Sequence, residues 1–424
     1  MSNTGQQRWQ EIEKAGGISK YVDQQLQSKG FWVTRRATEQ MSDKELEKYK
    51  KVLKAEAIAK RDLKKDAWQA YRATHIVHLG EGIYWSDDTS ADRFDLDSAE
   101  KRLMDNQLPQ IHQVPELAQA LGVSVAQLRG LCYHRNAAAD TQYQRFQIPK
   151  RSGGMREIWA PRPTLKAAQR WVLRNILDQM LVHGAAHGFL AGRSIATNAA
   201  EHRDSQVLVK IDIKDFFPSV SWRRVKGVFR HAGYHEHIAT LLALLCTESP
   251  RQVVQHGGKT FYVALADRCL PQGAPTSPAL TNVLCLRLDR RLTGIAGKHG
   301  WRYSRYADDL TFSLPKGVEA DIGQLLGSVH KILKQEGFCL HPDKTHIVRP
   351  AAQQQVTGLV VNGDLPPRVS RQQKRQMRAA IHNLKLGKPL PEGESIERLK
   401  GYAAFIAMTE PELGRQMLQQ LGTI

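Results

Sequence analysis

Tyr306-Ala307-Asp308-Asp309 follows a basic aromatic stretch at 301–305 and precedes an alternating apolar run at Leu310, Phe312 and Leu314. This pattern around a short polar segment predicts a strand, a tight turn and a second strand. Two adjacent acids at such a turn repel each other, and bound cations remove that repulsion. Paired Mg²⁺ ions are the usual reason for such an arrangement. The sequence therefore predicts a metal-binding hairpin tip, with an ordinary surface turn as the alternative.

A third acid stands inside an apolar run upstream. The run Val-Leu-Val-Lys-Ile-Asp-Ile at 207–213 predicts a buried strand. An ionised Asp212 is costly there unless it is paired or bound to a metal. Together with Asp308 and Asp309 it forms the acid set of a two-metal site, where one ion activates a primer hydroxyl and the other holds a triphosphate. A salt-bridged strand residue is the alternative, and the presence of both elements in this order favours the metal site.

Residues 146–158 carry a cluster of cations. Their pattern predicts a strand, a Gly153-Gly154 hairpin turn and a second strand. Lys150, Arg151 and Arg156 fall around one loop. Arginine suits bidentate contact with phosphate. The residues alone leave open whether the loop binds phosphate or is a solvent-exposed basic hairpin.

In this order the segments resemble the motifs of reverse transcriptases, and the resemblance covers about residues 140–365. Residues 270–278 resemble the loop and helix that pack the template-primer under the incoming nucleotide, and residues 337–345 resemble the next palm motif. The resemblance implies an α+β fold, namely a right-hand polymerase with fingers, palm and thumb, here with a helical N-terminal extension. It also implies RNA-directed DNA polymerase activity with dNTPs as substrates.

The resemblance also implies roles for individual residues. Asp212, Asp308 and Asp309 are expected to be catalytic and, with the Ile213 carbonyl, to hold two Mg²⁺ ions, for which Mn²⁺ is a substitute. The residues expected to bind the nucleotide are Lys150, Arg151, Arg156, Phe217, Gln272 and Lys344.

Some of these residues have a specific expected role. Phe217 is expected to lie under the ribose C2′ and exclude a 2′-hydroxyl, while Phe216 is expected in the core. Gln272 is a donor to template or nucleotide, and Gly273 lets the backbone approach the nucleic acid closely. Lys344 stabilises or protonates the pyrophosphate leaving group. The alternatives are core packing for Phe217, a plain Pro/Gly turn, and a solvated lysine.

Two segments narrow the family. Residues 187–202 contain His-Gly-Phe, Gly-Arg-Ser-Ile and Asn-Ala-Ala-Glu-His, and the last is similar to a stretch in bacterial retron reverse transcriptases. Val356-Thr357-Gly358 is also typical of retron enzymes. The residues expected to bind RNA here are Asn198, His202, Val356, Thr357 and Gly358. For Asn198 and His202, hydrogen bonding on a helix surface at i, i+4 spacing is the alternative.

The retron resemblance implies a structured noncoding RNA as both template and primer, with its cDNA as the product. It implies initiation from the 2′-hydroxyl of an internal guanosine, which gives RNA-linked multicopy single-stranded DNA, or msDNA. An effector protein from the same operon, host RNase H and a role in anti-phage defence belong to the same expectation. The alternatives are another bacterial reverse transcriptase, of the diversity-generating or abortive-infection type, and an RNA-binding scaffold of the same fold.

The composition of the chain agrees with a nucleic-acid partner. The 424 residues carry a net charge of +19 with a pI of about 9.7, which predicts a polyanionic partner. A basic surface that serves solubility is the alternative. The five cysteines lack metal-ligand spacing, which predicts reduced thiols in a cytoplasmic protein. A polar start and short apolar stretches predict neither a signal peptide nor a membrane partner.

Four regions are expected along the chain: 1–110, a helical extension and linker; 111–205, a helix-turn-helix-like segment and fingers; 206–365, the palm; and 366–424, a basic helical thumb. Ser42-Asp43-Lys44-Glu45 predicts a capping box that starts a charged helix reaching His75. Residues 115–134 resemble a helix-turn-helix pair, for which a structural role in the fingers is favoured over DNA reading.

A basic helix is predicted in the thumb. Residues 368–388 contain seven lysines and arginines and no acid. Arg371, Lys374, Arg375 and Arg378 fall on one side of such a helix. A cationic helix face would lie along a nucleic-acid backbone, so these residues are predicted to bind the RNA.

Overall fold

The computed structural model describes residues 3–39, 41–83, 98–149, 153–391 and 393–422. Its α-helices are α1 (Asn3–Lys14), α2 (Ile18–Ser28), α3 (Asp43–Thr74), α4 (Ala99–Asp105), α5 (Val114–Ala120), α6 (Val125–Cys132), α7 (Pro163–Asn175), α8 (Ile195–Ala200), α9 (Trp222–Ala232), α10 (Glu236–Cys246), α11 (Ser277–Leu284), α12 (Leu286–Lys298), α13 (Ile322–Gln335), α14 (Arg371–Lys385), α15 (Ile396–Ala407) and α16 (Pro411–Gly422). Its β-strands are β1 (Ala137–Ala138), β2 (Tyr143–Pro149), β3 (Met155–Pro161), β4 (Ser205–Asp212), β5 (Arg251–His256), β6 (Lys259–Ala264), β7 (Arg302–Tyr306), β8 (Asp309–Pro315), β9 (His346–Val348), β10 (Gln355–Val356) and β11 (Leu359–Val360). This mixture confirms the predicted α+β class.

The chain divides into two compact units. The first consists of Met1–Gln144, Pro161–Trp171 and Phe229–Arg268, and the second of Arg145–Ala160, Val172–Val228 and Cys269–Ile424. Within the region predicted as palm, 206–365, residues 229–268 belong to the first unit and the rest belong to the second. The four linear domain boundaries therefore stay a proposal.

Three helices near the N-terminus share a core of their own. The capping box that was predicted at the start of α3 is confirmed, because the Glu45 carboxylate accepts hydrogen bonds from the Ser42 backbone N–H at 3.0 Å and from its hydroxyl at 2.6 Å. Apolar residues of α1, α2 and α3 form one buried cluster, namely Ile12, Tyr21, Val22, Leu26, Ala67 and Ala70. The charged pattern predicted α3, whereas α1 and α2 were expected only as part of a helical extension.

The helix-turn-helix pattern is confirmed as α5 and α6. Gly122 ends the first helix with a φ of +67°, and the Ser124 side chain caps the second by accepting from the Gln127 N–H. Leu128 and Cys132 on α6 are fully buried, and the Cys132 thiol donates to the Leu241 carbonyl of α10 at 3.6 Å. Since α6 turns these residues into the core of the first unit, the packing favours the proposed structural role.

The second unit contains an antiparallel four-stranded sheet in the order β7-β8-β4-β9. The central strand β4 pairs with β8 along its length and with β9 at its middle. Leu208, Val209 and Ile211 of β4 are buried, as expected for a strand covered on both faces. The register sets Asp212 opposite Asp309, so the sheet itself brings the predicted acids together.

The C-terminal helices α14, α15 and α16 pack on one another around an apolar cluster. Met377 and Ile381 of α14 contribute its buried face, together with Leu399, Ile406 and Met417. The predicted basic helix therefore exists, but it begins at Arg371, where the Ser370 hydroxyl caps it, and it ends at Lys385.

Among the described residues, no helix has the length and apolar character needed to span a membrane. The cysteines at 132, 246, 269 and 285 are buried and Cys339 is exposed. The reduced state stays a prediction, and Cys339 lies outside the core.

Candidate active site

The predicted acids meet where β4 and β8 end side by side. Asp212 is the last residue of β4, and its Cα partner Asp309 is the first residue of β8. The Ile213 N–H donates to the Asp308 carbonyl at 3.0 Å, which ties the turn to the end of β4. Asp308 is half-buried and Asp309 is exposed. The backbone therefore places three carboxylates at one edge of the sheet.

Crowding changes the acidity of the two turn carboxylates. Partial desolvation, followed by repulsion from Asp308, raises the pKa of Asp309 to about 6, even though part of its surface meets solvent. Limited hydration and the charge of Asp212 raise the pKa of Asp308 as well. A raised carboxyl pKa means that negative charge is unfavourable here, so the site favours a bound cation.

Lys344 supplies one cation to this edge. Its Nζ lies 3.1 Å from Asp212 Oδ2, and the side chain is half exposed. The backbone holds this approach, because the His341 N–H donates to the Asp212 carbonyl at 2.8 Å. The structure thus brings Lys344 to the acids, and its predicted position near the triphosphate stays a proposal.

The donor chemistry of the site fits a hard divalent ion. Three carboxylates at one edge offer the oxygen ligands that Mg²⁺ prefers. Within the described residues, no three His, Cys, Asp or Glu side chains are arranged around a single point as ligands, and the Asp212 carboxylate faces Lys344 instead. Ligation by all three acids therefore requires Asp212 to turn from Lys344 toward the β8 turn.

A buried ion pair supports the turn from beneath. The Arg305 guanidinium and the Asp289 carboxylate are both fully buried and 2.7 Å apart. Arg305 also donates to Asn282 Oδ1 at 3.1 Å and to the Ala307 carbonyl at 3.2 Å. Ala307 has a φ of +56°, a conformation that non-glycine residues rarely adopt. The Arg305 bond to its carbonyl helps to hold that strained turn in place.

Gly188 allows a loop to lie directly on the turn. A Cβ at this position would lie 2.8 Å from the Ala307 nitrogen. The Asn282 side-chain amide donates to the Gly188 carbonyl at 2.8 Å, and the His187 N–H donates to the Arg305 carbonyl at 2.8 Å. The His-Gly-Phe motif noted in the sequence therefore supports the turn that carries Asp308 and Asp309.

The two phenylalanines after β4 occupy different environments. Phe216 is buried, with its ring centroid 5.6 Å from that of Phe338, so the predicted core position is confirmed. Phe217 is half-buried, with its ring 5.7 Å from Phe216. Both phenylalanines lie in a turn after the end of β4, as the φ of +48° at Asp215 shows. The Phe217 ring is partly accessible, and its sugar-selecting role stays a proposal.

The structure gives Gly273 a packing role within the protein, and its predicted approach to nucleic acid stays a proposal. A Cβ there, at a φ of +121°, would lie 2.8 Å from the Trp159 carbonyl of β3. The Trp159 N–H also donates to the Gln272 carbonyl at 2.7 Å. Gly273 is thus required for close approach to the β2–β3 hairpin, and this approach accounts for the glycine without nucleic acid. Gln272 is half-buried, and its side-chain role stays a proposal.

The predicted hairpin of β2 and β3 is confirmed. Arg156 lies near its tip and is exposed. Lys150 and Arg151 lie outside the described residues. Arg145 and Glu157 form an ion pair within the hairpin, and the Arg145 guanidinium lies 4.7 Å from the centroid of the Trp159 ring.

Comparisons with known proteins agree with this geometry. Residues 148–377, more than half of the chain, match the family model for reverse transcriptase (RNA-dependent DNA polymerase). The chain is 50% identical over 422 residues to the retron Mx162 reverse transcriptase of Myxococcus xanthus, covering 97% of this chain and 87% of that one. It is 41% identical to the retron Mx65 reverse transcriptase of M. xanthus, covering 74% and 72% of the two chains. It is 34% identical to the retron Ec86 reverse transcriptase of Escherichia coli, covering 76% and 92%.

The chain belongs to the retron reverse transcriptases. It therefore has the right-hand polymerase fold and the RNA-directed DNA polymerase activity of that family. Divalent metal ions are the general cofactor of the reverse transcriptase family.

Two residues predicted to bind RNA in this retron reverse transcriptase are buried. Asn198 is 1% exposed and His202 is fully buried, so neither side chain can contact RNA in this structure. Ser304 of β7 donates its hydroxyl proton to Asn198 Oδ1 at 2.7 Å and lies 2.7 Å from His202 Nε2. Ser304 must then accept from Nε2, while Nδ1 accepts from the Ser313 hydroxyl at 2.7 Å. Burial, above all, lowers the pKa of His202 to about 3, which keeps the ring neutral.

This network corrects the proposed role of the Asn-Ala-Ala-Glu-His stretch. Its two polar side chains join α8 and the turn after it to the strands that carry the acids. The Val-Thr-Gly segment reaches the same helix, because the Thr357 hydroxyl donates to the Ile195 carbonyl at 3.0 Å. Val356 is fully buried, whereas Gly358 is exposed. Direct RNA contact at these positions is therefore left to Gly358 and to the exposed part of Thr357.

The four predicted cations of the thumb helix also differ in environment. Arg371, Arg375 and Arg378 are exposed on α14. The Lys374 ammonium instead lies 2.9 Å from the Glu410 carboxylate next to α16, with the Lys374 side chain only 14% exposed. Lys374 therefore joins two parts of the thumb, and its predicted RNA contact is replaced by this internal ion pair.

Proposed function

We propose that this retron reverse transcriptase copies a structured noncoding RNA that serves as both template and primer. Synthesis starts from the 2′-hydroxyl of an internal guanosine and gives multicopy single-stranded DNA that stays linked to the RNA. The relatives whose names identify them as retron reverse transcriptases support this assignment. We also propose that the product acts in anti-phage defence, together with an effector protein of the same operon and host RNase H.

The observation that carries the catalytic part is the crowding of Asp212, Asp308 and Asp309 at the ends of β4 and β8. We propose that these carboxylates and the Ile213 carbonyl hold two Mg²⁺ ions, with Mn²⁺ as a substitute. When bound, such ions activate the attacking hydroxyl and neutralise charge on the triphosphate. A binding scaffold without catalysis would have no need to keep three mutually repelling acids together.

The remaining side chains bind and orient the nucleotide in this proposal. The Lys344 ammonium, freed when Asp212 turns toward the metal site, stabilises or protonates the departing pyrophosphate. Arg156 contacts the triphosphate oxygens, and we propose the same role for Lys150 and Arg151, which lie outside the described residues. Phe217 closes the space beneath the ribose C2′, and Gln272 contacts the template or the nucleotide. Incorporation of dNTPs follows from this sugar selection.

Recognition of the RNA is assigned to the outer face of α14. Arg371, Arg375 and Arg378 are spaced at i, i+4 and i+7, so their side chains share one exposed face. Met377 and Ile381 bury the opposite face. A rigid cationic stripe of this kind suits the phosphates of a folded RNA.

The product of the reaction tests the whole proposal. We expect the protein purified from cells that carry its native operon to contain one structured RNA bearing a 2′–5′-linked DNA, detected by sequencing of nucleic acid before and after debranching. The Asp308→Ala, Asp309→Ala double variant is the matched control and should retain the RNA without DNA. Random DNA, or no single RNA species, would contradict the retron function while leaving polymerase chemistry intact.

A charge-reversal experiment tests RNA recognition separately. Changing Arg371, Arg375 and Arg378 to Glu should abolish the branched product in cells, yet extension of a generic annealed primer at low salt should continue because the acids are untouched. The slope of log affinity against log salt should fall by about 0.7–0.9 for each phosphate that the protein no longer neutralises. Lys374→Met is the control, and it should lower thumb stability without changing that slope. An unchanged branched product in the triple variant would assign RNA choice to another surface.

A further inference from the structure

Phe189 presents an aromatic ring to solvent beside the catalytic turn. Its side chain is 54% exposed, and its backbone φ is +60°. A large aromatic residue in the left-handed region is a genuine outlier, because its Cβ crowds the backbone there. Such strain persists where the surrounding structure enforces it, and it clusters at functional sites.

The loop around Phe189 is held in place by its neighbours. Gly188 lies directly on Ala307, as described above, and the Asn282 amide fixes the Gly188 carbonyl. His187 is fixed by its N–H bond to Arg305 and by the Thr197 hydroxyl, which lies 3.0 Å from Nδ1. These bonds leave Phe189 little freedom to withdraw into the core. The strained backbone therefore keeps an apolar ring exposed at a defined position.

The partner of this ring belongs to the catalytic turn itself. The centroid of Phe189 lies 6.3 Å from that of Tyr306, with an interplanar angle of 39°, which is within the range of contacting aromatic rings. Tyr306 is half-buried and lies two residues before Asp308. Two aromatic rings thus lie beside the turn that carries the acids, and Phe189 is the more exposed of the two, at 54%.

We propose that Phe189 and Tyr306 form a two-ring floor on which the terminal nucleotide of the primer strand packs its sugar and base. The inference rests on the proposed function, because the acids must act on the hydroxyl of that nucleotide. The nucleotide that bears the hydroxyl then lies within reach of side chains adjoining Asp308. Aromatic rings suit this position since they contact any base or sugar without reading its sequence.

The strain at Phe189 allows a test that separates binding from stability. Phe189→Gly removes the ring and also relieves the backbone, so its melting temperature should stay equal or rise. We expect the dissociation constant for an annealed RNA-template, DNA-primer duplex, measured by fluorescence anisotropy with EDTA present, to rise about tenfold. Gln107→Gly is the matched control, because Gln107 is exposed at a φ of +53° in the other compact unit. It should gain stability and keep its full affinity.

Two further measurements define what would overturn the proposal. Phe189→Trp should retain duplex affinity, and Phe189→Leu should lower it in part because the flat face is gone. Binding of the same template RNA without a primer should change little in Phe189→Gly. An unchanged duplex affinity in Phe189→Gly, or an equal decrease for the primer-free RNA, would refute the two-ring floor. These binding results stand apart from the proposed function, whose failure would appear as a wild-type protein that does not form branched DNA.

Discussion

Asp289 in the core and the acids at the ends of β4 and β8 differ in how the protein compensates their negative charge. Asp289 is fully buried and bonded to the equally buried Arg305. Asp308 and Asp309, only a few residues from Arg305, are crowded together at an open edge, where their pKa values are raised. The Asp289 carboxylate is neutralised by the buried Arg305. The Asp308 and Asp309 carboxylates are not neutralised in this way, and their pKa values are raised.

The difference separates a structural acid from the acids that are proposed to be catalytic. A buried carboxylate must be paired, since an isolated charge in a low-dielectric interior is very costly. An open group of acids can persist without full compensation because water reaches part of it, and the remaining repulsion favours an added cation. Local departures from stability are expected at functional sites, so the unneutralised group is the one that we assign to chemistry.

The largest expected effect comes from removing the open acids. Asp308→Ala with Asp309→Ala should lower the rate of DNA synthesis by at least about a thousandfold, because the transition-state charge is no longer stabilised. The melting temperature should not fall, since repulsion is removed as well. Primer extension and thermal unfolding of the same sample measure both effects. Near-normal extension would remove these residues from the chemistry.

Breaking the buried Asp289–Arg305 pair should instead have its main effect on stability. Asp289→Asn leaves Arg305 uncompensated and should lower the free energy of unfolding by about 3–5 kcal/mol. The surface pair of Arg415 with the 83% exposed Glu412 is the control, and Glu412→Gln should cost less than about 1 kcal/mol. Denaturant titration compares the two variants. Similar decreases would mean that burial does not distinguish these pairs.

Lys344 lies between the two cases, because it is a protein cation at the open edge. Lys344→Met should slow nucleotide incorporation by about 10- to 100-fold because charge on the leaving group is less well stabilised. It should also raise the pKa of Asp308 and Asp309 further, because Lys344 lowers both. The acid limb of the pH–rate profile should therefore move to higher pH. Lys316→Met, which breaks the exposed pair with Asp204, should leave the profile unchanged.

The smallest expected effect is on the pH dependence of stability. The pKa of Asp309 is about 6 in the folded protein and about 3.9 when unfolded, so the folded state binds more protons between these values. Stability from this group is then present below about pH 4 and is lost as the pH rises through about 6. Asp309→Asn should remove that slope in urea titrations made at several pH values. An identical slope in the variant would show that Asp309 does not titrate in this range.

The sequence predicted the parts of the site that depend on local patterns. The apolar run around Asp212 and the alternating residues after Asp309 were sufficient to predict two strands with acids at their ends. The Ser42 capping box and the Ser124 cap were recognisable because their partners lie three residues away. Spacing within one element determines these contacts, so one chain is enough to infer them.

The parts that were missed depend on contacts between distant segments. The spacing of Asn198 and His202 is compatible with a helix surface, and only the serines of β7 and β8 show that both are buried. The sequence does not distinguish Lys374 from its exposed neighbours, because its partner Glu410 lies 36 residues further along the chain. A charged Arg305 inside the β7 pattern indicates that it has a buried partner, but that partner, Asp289, lies on the separate helix α12.

The pairing order of the palm sheet has a consequence for the growing chain. The strand that carries Asp212 leaves the ribosome long before its neighbours, since its hydrogen-bonding partners are residues 309–315 and 346–348. A nascent chain that stalls before residue 309 lacks Asp309 and all of β8, the strand whose pairing with β4 brings the acids together. If the proposed acid site carries the catalysis, copying of RNA cannot begin until most of the protein has been translated.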